Sequence, residues 1–311
     1  MESFMIFVST ATGSQKVESW EEITSRPKFI DKISKSEHKL SEIIGFYRFK
    51  DEIHCGLKGC NQPHQMGYIV RTEDGIETNI GNVCGAGEFG IQFKQLTEQF
   101  DNFMKLETNK MIVSEAKQKC DEWSASLEGL RKLKPSIDSC ASNIEKIQNA
   151  IHVGRLAATE IRLLAKSQSG IVTLTEVETS KWARAILFAA NKHMRESGEA
   201  TNDFNMGKVS FTHVLLPENN LRERFVSLSE DIKAIRKTDV KLSPSPEIKN
   251  IAQRANTIDD RIKQLKVIHH DAGRFLTKKN LSAISAKLKN SSTAPEGELV
   301  HFESFVRTLG R

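Results

Sequence analysis

The sequence predicts a mainly α-helical protein with a small α+β part, and three patterns carry this prediction. Beyond residue 91, apolar residues recur every three or four positions, which keeps one face of a helix apolar. Residues 51–90 are richer in Gly, Cys, His and Asn and contain short stretches that are typical of strands. Residues 170–217 mix both patterns. We therefore expect a β-hairpin module, then long antiparallel coiled-coil-like helices with a small α/β insert.

These changes of pattern divide the chain into four expected domains. Residues 1–95 form an N-terminal domain around the hairpin, and residues 218–311 form a basic helical segment. Between them, apolar stripes at residues 113–130 and 137–151 flank Pro135, which lacks the N–H that a helix interior needs. Two stripes around a short break predict an antiparallel helical hairpin over residues 96–169. The remaining residues, 170–217, are the small α/β insert.

Within the insert we expect two strands and one helix. Residues 171–177 and the alternating residues 209–215 predict strands, and residues 180–195 predict a helix around Trp182 and Ile186. The polar residues 196–205 predict a loop. In the basic segment, Ser245 followed by Pro246 predicts the start of a further helix, because both residue types favour a helix N-terminus.

Composition limits the class of protein. The chain has 311 residues, of which 38% are hydrophobic and 27% charged, as in an ordinary globular protein. Its five cysteines are an odd number, which argues against a complete disulfide framework. The apolar start at residues 4–8 is too short for a signal peptide, and no apolar run has the length of a membrane span. We expect a cytoplasmic protein that makes no membrane contact.

Three of the cysteines cluster between residues 55 and 84. Cys55 and Cys60 are separated by four residues, and Gly56 and Gly59 permit the tight turn that points two thiolates at one ion. The pair Asp74-Gly75 then predicts a β-hairpin between residues 67–70 and 76–80, because Asp-Gly tolerates a type I′ turn. Cys84 follows, just before the first long helix. Zn²⁺ takes four Cys or His ligands in a tetrahedron, so these residues predict a structural zinc site.

The order of knuckle, hairpin and helix, with a cysteine at the helix start, resembles the treble-clef zinc finger over residues 53–100. That resemblance implies two ligands from the knuckle and two from the first turn of the helix. Cys55, Cys60 and Cys84 match it, whereas the expected fourth position falls near Glu88. His64 is the preferred fourth ligand, because imidazole binds zinc beside thiolates better than a carboxylate does. Glu88 and a water molecule are the alternatives.

The competing interpretation is that these three cysteines are free, small and buried. The other two, Cys120 and Cys140, fall on the apolar stripes and are expected to be core residues.

A second candidate site is the basic stretch at residues 241–290, which holds eleven Lys or Arg residues against four Asp or Glu residues. Contacts with phosphate are expected from four of them: Arg254, Arg261, Lys263 and Lys266. The stretch has one aromatic residue, Phe275, so base stacking is not expected there. The alternative is a solvated helix face, since helices commonly carry charge for solubility.

These observations support three functions in order of preference. The first is a zinc-stabilised, non-catalytic helical scaffold that binds a protein partner or a second copy through its apolar stripes. The second is a nucleic-acid-binding protein, regulatory or part of a mobile element or defence system, that uses the basic C-terminal third. The third is a metal-dependent nuclease, which needs a His or Glu base beside the ion and an open coordination position.

Overall fold

The protein is mainly α-helical with two antiparallel sheets, which confirms the predicted fold class. A computed structural model describes residues 5–10, 13–60 and 62–309. The chain divides into two compact units. Unit 1 comprises Met1–Glu115 and Thr238–Ala252, and unit 2 comprises Ala116–Lys237 and Gln253–Arg311. Unit 1 includes residues 96–115 and 238–252 in addition to the expected 1–95 domain. The division into four domains stays a prediction.

Unit 1 is built on a five-stranded antiparallel sheet. Its strands are β1 (Met5–Thr10), β2 (Gly13–Val17), β3 (Leu40–His54), β4 (Pro63–Thr72) and β5 (Glu77–Gly81), and a short helix α1 (Glu21–Thr24) follows β2. The strand order in the sheet is β2-β1-β3-β4-β5. Both faces of the sheet are buried. Ile43 and Val70 pack on the face that contacts Phe93, whereas Ile44 and Ile69 belong to the opposite core.

The sheet is larger than the predicted hairpin. Strand β3 was not predicted because the apolar alternation in its sequence is broken. Its pairing with β4 shifts register three times, between Leu40 and Glu42, between Ile43 and Gly45, and between Arg48 and Ile53. Each shift interrupts the alternation of inward and outward side chains that signals a strand. The consecutive buried residues Ile43 and Ile44 are one result, since they serve two different cores.

The predicted hairpin is present as β4 and β5, but its turn is not type I′. Four residues, 73–76, connect the strands, and the amide of Gly75 donates to the carbonyl of Thr72 at 2.9 Å. Gly75 has a φ of +85°, whereas Asp74 is not among the described residues with positive φ. The hydrogen bond between residues three apart and the left-handed Gly75 match a type I turn followed by a G1 bulge. This turn needs one positive φ angle, whereas a type I′ turn needs two.

Helices dominate the rest of the chain. Helix α2 (Asn82–Lys132) is the longest, and its backbone is interrupted at Gly90, which has a φ of 57° and a ψ of −127°. The helices after α2 are α3 (Ile137–Ile147), α4 (Ala150–Val153), α5 (Arg155–Ser167), α6 (Lys181–Ala190), α7 (Lys192–Ser197), α8 (Leu221–Lys237), α9 (Ser245–Ala255), α10 (Ile258–Phe275), α11 (Lys278–Asn290) and α12 (Glu296–Thr308). The predicted second arm, after Pro135, is thus divided into the three helices α3, α4 and α5, and α3 packs against α8 and α10.

In the insert, one strand was predicted correctly and the other was placed wrongly. Strand β6 (Ile171–Val177) has the predicted bounds, and its partner is β7 (Thr201–Lys208), where a loop was expected. The alternating residues 209–215 instead contain a 3₁₀ helix, Thr212–Leu215, preceded by Phe211 with a φ of +62°. The strand was missed because β7 is mostly polar and exposed, so it lacks the apolar alternation of a half-buried strand.

Helix α9 begins at the predicted Ser245, and Cys120 and Cys140 are buried as predicted. In the part of the chain that the structure describes, no helix has both the length and the apolar character needed to cross a membrane.

Candidate metal centre

The thiols of Cys55, Cys60 and Cys84 come together in unit 1, and we call this group the thiol cluster. Cys55 directly follows β3, Cys60 lies in the connection to β4, and Cys84 lies in the first turn of α2. All three sulfur atoms lie within 4.8 Å of one another, and the Sγ atoms of Cys60 and Cys84 are 3.2 Å apart. This spacing is close enough for all three sulfurs to bind one metal ion.

Backbone hydrogen bonds hold the knuckle, residues 55–60, against two neighbouring segments. The amide of Gly56 donates to the carbonyl of Asn79 on β5 at 2.7 Å. On the other side, the amides of Ile33 and Lys58 donate to the carbonyls of Gly56 and Ile33, each at 2.8 Å. A Cβ atom on Gly56 would lie 2.2 Å from the Thr78 Oγ1 atom, so this close approach requires glycine.

The helix side of the cluster depends on a second glycine. A Cβ atom on Gly85 would lie 2.3 Å from the Cζ atom of Phe93, a fully buried residue in the core between α2 and the sheet. The residues before and after Gly90 contact each other, because Gly90 kinks the helix with a left-handed φ angle and brings Phe93 against Gly85. Gly85 therefore lets the turn that carries Cys84 lie directly on the core.

One side of the thiol cluster is buried in the apolar core, and the other side is partly exposed to solvent. Cys55 is fully buried among Leu57, Ile80 and Phe93, whereas Cys60 and Cys84 are half-buried. A metal ion held there would be shielded on one side by apolar side chains, which slows its exchange with water.

The thiols of the cluster differ in their proton affinity. A hydrogen bond from the backbone amide of Gln62 lowers the pKa of Cys60, whereas burial raises the pKa of Cys84 to about 12. The Nζ atom of Lys32 lies beside the cluster and donates to the Cys60 carbonyl at 3.1 Å and to the Cys55 carbonyl. Metal ions bind thiolates rather than thiols, so an ion held by this cluster would have to displace the proton of Cys84, and its affinity would increase with pH.

The structure does not bring either predicted fourth ligand into the thiol cluster. The Nε2 atom of His64 lies 2.5 Å from the hydroxyl of the buried Tyr47, and its Nδ1 atom lies 3.3 Å from the Gln62 carbonyl. Glu88 points to Lys35, with 3.7 Å between its Oε2 atom and the Lys35 Nζ atom. The fourth ligand therefore stays a prediction.

Comparisons with protein-family models, with curated proteins and with solved structures found no match. The functional assignment therefore depends on the geometry of this site.

His64 has the better local chemistry for a fourth ligand. A metal-bound imidazole nearly always bonds through its other ring nitrogen to a neighbouring polar group, and the Tyr47 hydroxyl already holds the Nε2 atom of His64. Burial also lowers the pKa of His64, which keeps the ring neutral as metal binding requires. Glu88 is about half exposed and its partner Lys35 is a surface cation, so it lacks comparable support.

We expect His64→Ala to weaken metal binding by about tenfold or more and Glu88→Ala to leave it unchanged. Competition with a chromogenic chelator measures both affinities, and Glu88→Ala is the control for a substitution beside the cluster. If only Glu88→Ala weakens binding, the fourth ligand is the helix residue and our preference for His64 is wrong.

The four basic residues predicted to contact phosphate have different surroundings in unit 2. Arg254 and Arg261 both pair with Asp231, a nearly buried carboxylate, at 3.1 Å for the Arg254 Nη1 and at 2.5 Å for the Arg261 Nη1. Lys263 pairs with Asp260 on the surface at 3.2 Å. Lys266 lies on the same helix as Arg261. Phosphate contacts stay a prediction, but the two arginines already balance a charge within the fold.

This difference predicts different effects of charge reversal. We expect Arg261→Glu to lower the free energy of unfolding by about 2 kcal/mol, because it places a second carboxylate against Asp231 in a partly buried site. Lys263→Glu should change it by less than about 0.5 kcal/mol, because its ion pair is exposed. Urea unfolding of both variants measures the difference, and equal stabilities would contradict the role of Arg261 in the fold.

Sequence patterns did not point to Lys32, which donates to the carbonyls of Cys55 and Cys60, or to Tyr47, which contacts His64. Tyr47 lies in the bulged strand β3, and Lys32 lies in an irregular segment, so no local pattern connects either residue to the cysteines.

Proposed function

We propose that this protein is a zinc-stabilised, non-catalytic scaffold that binds another protein. The observation that carries the proposal is the thiol cluster, in which three separate segments deliver Cys55, Cys60 and Cys84 to one place. Zinc is the metal we expect, because thiolates are the ligands it takes in structural sites. At a zinc–sulfur distance of about 2.3 Å, tetrahedral geometry places the sulfurs about 3.8 Å apart, within the spread of the cluster.

In this proposal the ion joins the knuckle to the first turn of α2. The supporting feature is the order of the elements, since the knuckle, the β4–β5 hairpin and the helix that carries Cys84 follow one another as in a treble clef. Three protein thiolates leave one coordination position, and we assign it to His64. A closed set of four protein ligands is typical of a structural rather than a catalytic site.

Helix α6 supports the interaction part of the proposal. Its sequence includes six alanine or large aliphatic residues and two aromatic residues, yet none of its ten residues is buried. Trp182 is 76% exposed and Ile186 is 48% exposed, and their spacing of four places both side chains on one face of the helix. Exposed apolar residues at this spacing are the anchors by which a helix binds a groove on a partner.

Co-purification from the native host tests the proposal. We expect a partner protein to remain bound after nuclease treatment and to be lost from the double variant Trp182→Ser, Ile186→Ser. The matched control is Val300→Ser on α12, because Val300 is also exposed, at 67%, but lies on another element. A partner that leaves on nuclease treatment would favour the nucleic-acid alternative. A partner that the double variant retains would contradict binding through α6.

A further inference from the structure

Unit 2 contains a groove between the last turns of α2 and the second half of α10, which we call the α2–α10 groove. Its volume is about 700 Å³, within the usual range for small-molecule sites of roughly 300–1,000 Å³. Outside the groove the two helices are joined by a hydrogen bond, in which the indole Nε1 of Trp123 donates to the Asp259 Oδ1 atom at 2.6 Å. Both helix segments that form the groove belong to unit 2.

The floor of the groove is apolar and open. Leu130 is buried at its base, and Leu133 lies at the rim with 52% of its surface exposed. Two glycines face the groove. A Cβ atom on Gly129 would meet no atom within 4 Å, and one on Gly273 would lie 3.5 Å from the Cγ atom of Pro135. Because glycine has no side chain, these two positions leave space in the groove that a ligand can occupy.

The charges around the groove are all of one sign. Lys134, Lys266 and Arg274 line it, and none of its described lining residues is a carboxylate. The Arg274 guanidinium lies 4.4 Å from the centroid of the Phe211 ring, which holds this cation in place. Two acidic residues are next to lining residues in sequence, and both have partners. Asp271 is engaged with the Nε2 of His213 at 3.1 Å and the Nδ1 of His270 at 3.2 Å. Glu128 pairs with the Nη1 of Arg131 at 3.7 Å. The cations are thus available to an external anion.

We propose that the α2–α10 groove binds a small amphiphile with one anionic end. The carboxylate or phosphate of the ligand pairs with Lys134, Lys266 and Arg274, and its aliphatic chain lies along Leu130 and Leu133. The alkyl stems of both lysines extend the apolar surface. This site is independent of the thiol cluster, which lies in unit 1.

The lining distinguishes this ligand class from nucleic acid. Bases bound without sequence preference stack on aromatic side chains, and no described lining residue of the groove is a Phe, Tyr or Trp. The imidazole of His269 is not free to read a base edge, because its Nε2 atom bonds the Pro135 carbonyl at 3.0 Å. An aliphatic chain needs neither stacking nor hydrogen bonds.

Calorimetric titration of the full chain with three ten-carbon ligands tests the charge requirement. Decanoate represents a free fatty acid, decyl phosphate represents a phospholipid headgroup, and decyltrimethylammonium carries the same chain with the opposite charge. We expect at least one anion to bind about tenfold or more tightly than the cation. The tighter anion identifies the source of the ligand. Equal binding of all three would overturn the proposal.

Two matched pairs of variants test the location. Gly129→Leu fills the groove and should abolish anion binding, whereas Ala125→Leu, at an exposed position of the same helix, should leave it unchanged. Lys266→Glu should weaken binding about five- to tenfold, whereas Lys263→Glu, exposed on the same helix, should not. Lys266→Glu decides the question if Gly129→Leu does not fold.

Three further results would reject the proposal. Binding that Gly129→Leu and Lys266→Glu leave intact would place the ligand elsewhere. Absence of anion binding below the micelle concentration would show that the groove takes no such ligand. A short RNA or an acidic peptide that binds in place of the amphiphiles, and is lost in the same variants, would assign the groove to a different partner.

Discussion

Replacing Cys55 with serine should abolish tight zinc binding and loosen the region from the knuckle to about residue 100. Cys55 is the fully buried member of the thiol cluster, and a structural zinc ion in small domains contributes on the order of 10 kcal/mol to folding. The sheet has a second core on its other face, so β1 and β2 should stay ordered. Hydrogen exchange should show faster exchange in β5 and the start of α2, and metal analysis should show the loss of zinc.

Cys120→Ser is the matched control for this experiment. Cys120 is also buried, but it lies on the later part of α2 in unit 2, where its thiol donates to the Ala116 carbonyl at 3.4 Å. We expect this variant to keep its zinc and its protection in unit 1. If Cys55→Ser keeps its zinc, the three cysteines are not the ligands, and the alternative of free buried thiols applies.

Gly85→Ala should damage both the stability of unit 1 and its metal binding. The added methyl group would lie 2.3–2.5 Å from three atoms of the Phe93 ring, and Phe93 is fully buried against Tyr68 and Phe100. The ring must move or the turn must shift, which typically costs about 1–3 kcal/mol in a packed core. A shift of the turn would also move Cys84, so we expect weaker zinc binding as well as lower stability.

Gly87→Ala separates this clash from a general effect of losing glycine. A Cβ atom on Gly87 would meet nothing within 4 Å, and alanine favours helix over glycine by about 1 kcal/mol. We expect Gly87→Ala to be neutral or stabilising in urea unfolding. Similar destabilisation of both variants would show that the contact between Gly85 and Phe93 does not limit this turn.

Local patterns in the sequence predicted the elements whose signals lie in adjacent residues. The Asp74-Gly75 hairpin, the helix start at Ser245 and the strand Ile171–Val177 are examples, since turn residues and periodicity specify each of them. The juxtaposition of Cys55, Cys60 and Cys84 was also predicted, because glycines and a hairpin bring their segments back together.

Features that depend on long-range pairing could not be predicted in this way. Strand β3 pairs with both β1 and β4, and bulges in its pairing with β4 disrupt its sequence pattern. The polar strand β7 is specified by its pairing with β6. The environment of His64 is another example. Its contact with Tyr47 depends on the register of β3 against β4, which the sequence around His64 does not specify.

Metal analysis of the full chain, purified without added zinc, is the decisive experiment for the zinc site. We expect one zinc ion per chain, and we expect a strong chelator to remove it together with the protection of β5 and the start of α2. A preparation that contains no metal, yet is fully folded by circular dichroism and shows the same hydrogen exchange with and without the chelator, would contradict this expectation.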